Sequence, residues 1–101
     1  MPPPSDLIRT ILKRTREGKL AWGELSESGF MAPIGANSLI IDRMRSGACV
    51  LRITNERGTV IENITGDWNT EELEEIYESA RRQALRVDEM LVNIKEALEK
   101  L

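Results

Sequence analysis

Ala48-Cys49-Val50-Leu51-Arg52-Ile53-Thr54, Asn55-Glu56-Arg57-Gly58 and Thr59-Val60-Ile61-Glu62-Asn63-Ile64-Thr65 follow one another directly, and their reading decides the fold. Two runs rich in β-branched residues flank a four-residue turn. Asn at its first position and Gly at its fourth suit a type I turn closing into a bulge, where glycine alone takes left-handed angles cheaply. Side chains alternate across a strand, so Cys49, Leu51 and Ile53 share one face while Arg52 and Thr54 take the other.

Upstream, short apolar runs recur between turn signals, the mark of an antiparallel meander. The expected strands are Leu20–Leu25, Phe30–Ile34, Ser38–Met44, Ala48–Thr54 and Thr59–Thr65. Pro33 cannot donate a ladder hydrogen bond, so its strand is expected at an edge or to end early. Leu39, Ile40 and Ile41 are consecutive, which predicts partial cover on both faces of the third strand.

Downstream of Gly66 the chain has neither glycine nor proline. Asn69 with Glu72 makes a capping-box variant, and Trp68 is placed to staple onto Leu73. Leu73, Tyr77, Ala80, Ala84, Val87, Leu91, Ile94, Leu98 and Leu101 follow at alternating spacings of four and three, a heptad pattern. Ile76, Met90 and Ala97 broaden it toward a bundle face. A continuous helix here spans roughly 50 Å, against about 20 Å for a six-residue strand. Its own sheet covers only the first part. The last part, about residues 88–101, is therefore expected to be an oligomerisation segment, with Leu91, Ile94, Leu98 and Leu101 against a second copy of the chain. The alternative is a break near Arg86-Val87-Asp88, with Asp88 capping a short helix that folds back on the first one.

At the other end, Ser5 is the expected N-cap of a helix over residues 5–17, after a proline lead-in. Leu7, Ile8, Ile11 and Leu12 form its apolar stripe, Arg9, Lys13 and Arg16 the opposite face, and Gly18 the terminator.

The chain has 101 residues, 41% hydrophobic and 31% charged, which fits one globular domain over 1–101. It has no membrane-length apolar run, and its start lacks a signal peptide's basic flank and apolar centre. A lone Cys49 forms no internal disulfide, so a cytoplasmic location is expected and Asn63-Ile64-Thr65 is not read as a glycosylation acceptor. Residues 1–57 carry nine Lys/Arg against six Asp/Glu, and residues 58–101 five against eleven. That split reads as two parts of one fold attracting each other.

Chemistry is sparse. There is no histidine, which removes the commonest general base and transition-metal ligand together. Cys49 falls in an apolar strand pattern and reads as core. No phosphate-cradling loop occurs, and Glu24, Asp42 and Glu62 lack a recognised ligand spacing. Catalytic, cofactor and metal residues are accordingly expected to be absent. Nucleic-acid or anion binding would use Arg9, Lys13 and Arg16, but a net charge of −3 and four aromatic residues argue against nucleic acid as a partner.

Leu12-Lys13-Arg14-Thr15-Arg16-Glu17-Gly18-Lys19-Leu20-Ala21-Trp22 and Ile76-Tyr77-Glu78-Ser79-Ala80-Arg81-Arg82-Gln83-Ala84-Leu85 resemble signatures of small prokaryotic helix–meander–helix domains of unknown function. Similar sequences often carry glycine where this one has Arg86, a departure that keeps the break as an alternative. The resemblance implies no activity and carries over no site residue. The expected fold is therefore α+β: a short N-terminal helix, a four- to five-stranded antiparallel meander, and a long C-terminal helix on one sheet face. The expected role is a non-enzymatic interaction module, regulatory or accessory to another protein and pairing with itself.

Overall fold

A computed structural model describes residues 4–65 and 70–101, with side chains from Asp6. The fold is α+β. Helix α1 (Pro4–Arg16) leads into strands β1 (Gly23–Ser26), β2 (Gly29–Ile34), β3 (Asn37–Arg43), β4 (Cys49–Thr54) and β5 (Val60–Thr65). Helices α2 (Thr70–Ala84) and α3 (Val87–Glu99) complete the chain. The strands form one antiparallel sheet in the order β1-β2-β3-β4-β5, an unbroken meander.

Hairpin chemistry sets the register. At the β4–β5 turn, the Gly58 amide donates to the Asn55 carbonyl at 3.0 Å, and the Asn55 amide donates to the Thr59 carbonyl at 2.9 Å. The Asn55 side-chain oxygen accepts from the Arg57 and Thr59 amides, and Gly58 takes φ +82°. That is the expected type I turn with a left-handed fourth residue, and the ladder is bulged beside it at Ile53/Thr54. Cross-strand pairing aligns Phe30 with Ile41, Ile41 with Leu51 and Leu51 with Ile64 on the inner face. Ile40 faces the other way and is half-buried, as the consecutive apolar run implied. Pro33 lies in the second strand rather than an edge one, yet β1 pairs with β2 only as far as Met31, so β2 is locally an edge where Pro33 sits. Leu20 and Trp22 precede β1 instead of belonging to it. They are apolar because they enter the core from the lead-in, 5% and 4% exposed.

One core joins both helical neighbours to the sheet. Ile8, Ile11 and Leu12 enter from α1, Leu73, Ile76, Tyr77 and Ala80 from α2, and Phe30, Leu39, Ile41, Cys49 and Leu51 from the sheet. Cys49 and Leu51 are buried together, with Ile53 half-buried beside them, as alternation required. The seam is polar where it must be. Thr15 donates to the Ile11 carbonyl at 2.8 Å and accepts from the Trp22 indole N–H at 3.2 Å, so neither buried group lacks a partner. The Trp22 amide donates to Gln83 Oε1 at 3.3 Å. Arg16 clamps Glu75 with two hydrogen bonds, of 2.5 and 2.7 Å, tying α1 to α2.

Two local expectations change. Helix α1 begins at Pro4, where proline's missing N–H costs nothing, so Ser5 lies inside the first turn and is not the cap. Its end matches expectation: Gly18 has φ +71°, and its amide and that of Lys19 donate back to Thr15 and Arg14, a Schellman closure. The capping box at Asn69 and the Trp68 staple fall outside the described residues. The continuous C-terminal helix is the second correction: it is two helices, α2 and α3.

Candidate interaction surface

Helix α2 ends at Ala84, and Arg86 adopts φ 54°, ψ 45°, a left-handed conformation that interrupts the hydrogen-bond ladder. It is the only non-glycine residue with positive φ among those described. Ion pairs bracket it: Arg82 reaches Asp88 at 2.5 Å across the break, and Arg86 reaches Glu89 at 2.8 Å. Asp88 therefore serves as an acceptor for α2 and not as the cap of α3. Arg86 stands at the cap position and makes no side-chain cap bond.

Nor does α3 fold back on α1. None of its residues is buried. Helix α2 crosses the sheet, touching β1, β2, β3 and β4; its fifteen residues give about 22 Å of helix, close to the roughly 19 Å width of five strands about 4.8 Å apart. The sheet thus covers α2 along its length, and α3 extends past it. The molecule measures 56 × 27 × 26 Å, with a radius of gyration of 15.1 Å, against about 13 Å for a compact chain of this size.

The exposed helix keeps its apolar stripe. Leu91, Ile94 and Leu98 are 54%, 55% and 63% exposed, and Leu101 is fully exposed. Of the four residues singled out in the sequence, Leu91, Ile94 and Leu98 thus lie together on α3, and Leu101 follows two residues past its end. Met90 and Val92 are also more than half exposed. Val92 was missed because it falls outside the heptad columns; the run Met90-Leu91-Val92 was its available signal. Other exposed apolar residues, Leu25, Ile34, Met44, Val60 and Ile61, lie on several different segments of the sheet and its turns.

No protein-family model, no curated protein and no solved structure matches this chain. The site must be read from its own residues.

The other candidates are mostly occupied. Arg9, Lys13 and Arg16 do line one exposed face of α1, but Arg16 is held by Glu75 and Arg9 lies 3.9 Å from Asp6. Nearby, Glu17 takes Arg14 at 2.8 Å, and Arg14 in turn holds the Glu17 carboxyl below its usual pKa. Asp42 pairs with Arg52 at 3.0 Å rather than converging with Glu24 and Glu62. Among the described residues no three His, Cys, Asp or Glu side chains gather closely enough to hold a metal ion, and no helix is long and apolar enough to cross a membrane. Cys49 is 4% exposed; burial pushes its thiol pKa up, partly offset by the nearby Arg43 guanidinium. Arg43 itself stacks on Tyr77, 4.5 Å from the ring centre, and donates to the Gly47 carbonyl. Tyr77 meets Phe30 edge-on at 5.5 Å. These contacts rigidify the end of the sheet under α2.

Proposed function

We propose that this protein is a non-enzymatic interaction module, regulatory or accessory in role, that self-associates through α3. The supporting observation is the stripe on α3, apolar in sequence and uncovered by the rest of the fold. Contiguous exposed apolar surface of this kind marks an interaction site on a protein that stays in solution. A free, buried Cys49 suits a reducing compartment such as the cytoplasm.

Magnitudes set the affinity. Full burial of a Leu or Ile is worth roughly 1.5–3 kcal/mol; Leu91, Ile94 and Leu98 have about half of that left to gain, and Leu101 all of it. Summed over two copies, the gain is roughly 8–15 kcal/mol. A micromolar dimer needs a net of about −8 kcal/mol, which the upper part of that range reaches when association costs about 4–7 kcal/mol. Sedimentation of the wild type should show a dimer at tens of micromolar, and Leu91→Lys with Leu98→Lys a folded monomer. A wild-type monomer at that concentration refutes the reading.

A further inference from the structure

We propose that two copies of α3 pair antiparallel about a two-fold axis, in the register that sets Leu91 against the partner's Ile94 and Val87 against the partner's Leu98. The inference rests on the reading of α3 as a self-association element and adds its orientation. The flanks of the stripe carry it. One flank holds Asp88 and Lys95, seven residues apart and opposite in charge; the other holds Met90 and Ala97, both apolar. Antiparallel helices bring like flanks together. Asp88 then faces the partner's Lys95 twice by symmetry, and Met90 faces the partner's Ala97. Parallel helices bring unlike flanks together, setting Lys95 against the partner's Met90 and leaving both charges unpaired. Flanking charges of this kind set orientation in paired helices, and antiparallel helix dipoles attract where parallel ones repel.

The side chains are free to do this. Asp88 and Lys95 are 82% and 78% exposed. Asp88 already accepts from Arg82, and a carboxylate has room for a second donor. Lys95 holds Glu99 only at 3.9 Å. Met90, Leu91, Ile94 and Leu98 are each more than half exposed and Leu101 fully so, roughly 100 Å² apiece. Two copies thus bury on the order of 1,000 Å², the area a specific protein interface has to clear. A lipid surface fits less well, because the segment 87–101 has four acidic residues against two lysines and cytoplasmic leaflets are anionic.

Charge exchange in the full chain tests the register. Asp88→Lys alone and Lys95→Asp alone each set like charges against each other in the homodimer. Sedimentation equilibrium should find each about tenfold weaker in self-association than the wild type. Mixed in equal amounts, the two variants should associate with nearly wild-type affinity, because the mixed pair restores both ion pairs. Variants that associate like the wild type overturn the register while self-association stands. So do variants that weaken singly and are not rescued by mixing, since each loss is then local to its own contact, Arg82–Asp88 or Lys95–Glu99. A covalent dimer formed readily by Leu98→Cys alone also overturns it, because antiparallel copies hold those positions roughly 16 Å apart along the axis. A wild-type monomer at tens of micromolar refutes self-association itself.

Discussion

Helices α2 and α3 carry the same apolar spacing and meet opposite fates. In α2, Leu73, Ile76 and Ala80 are wholly buried against the sheet and α1. In α3, at the same repeat, no residue is buried. Periodicity states that a face must be covered and is silent about what covers it. That decision belongs to a length, the width of the sheet that α2 crosses, and to a single residue, Arg86, where the ladder stops.

The contrast can be broken at its strongest point. Leu73→Ala leaves a cavity beneath α2 and should cost about 2–5 kcal/mol in urea unfolding, whereas Leu91→Ala at dilute concentration should leave the unfolding midpoint in place. Equal losses would mean α3 belongs to the same core. Next comes the seam that seats α2. Thr15→Val strands the buried Trp22 indole N–H without an acceptor, an expected loss of about 1–3 kcal/mol by thermal or urea melts. An unchanged melt would show that another acceptor takes over.

The break itself answers a smaller question. A left-handed non-glycine residue costs roughly 1–2 kcal/mol, and a β-branched one more. Arg86→Ile should therefore destabilise by about that amount or drive the junction toward continuous helix, which a rise in circular dichroism would report. Arg86→Gly should be tolerated. If both behave alike, the left-handed link is not what separates the helices.

The smallest effect is electrostatic. Hydrogen bonding to Arg16 holds the Glu75 carboxyl below its ordinary value of 4.5. A lowered carboxyl pKa adds stability that is present above the unfolded value and is lost as pH falls through the folded one. Stability should thus decline below about pH 4.5, and Glu75→Gln should flatten a shallow part of that slope. The pair is exposed, so salt screens it. A mutant whose acid limb matches the wild type would remove Arg16–Glu75 from the forces seating α1 on α2.

Much of this was legible in the residues. Asn55 through Gly58 announced their turn because a left-handed fourth position has few chemical solutions. Cys49, Leu51 and Ile53 announced their face because a strand alternates. Leu20 and Trp22 misled because a core accepts apolar side chains from coil as readily as from strand. Arg86 was legible only as one of two readings, a break or a continuous helix: arginine is a good helix former, and its own propensity argues against the left-handed conformation it adopts. The α3 stripe was visible as a stripe, but its exposure depended on where α2 ended.

The strand order has a consequence for how the chain is made. Every strand pairs only with its sequence neighbours, so the sheet closes through short, entropically cheap loops. By contrast, the Arg16–Glu75 contact joins residues 59 apart. During synthesis the meander can pair as it leaves the ribosome, while α1 waits for α2 to emerge behind it. The rate-limiting event should then be a late docking of helices on a preformed sheet. Core substitutions in the central hairpins, such as Leu51→Ala, should slow refolding, and Ile8→Ala in α1 should chiefly speed unfolding.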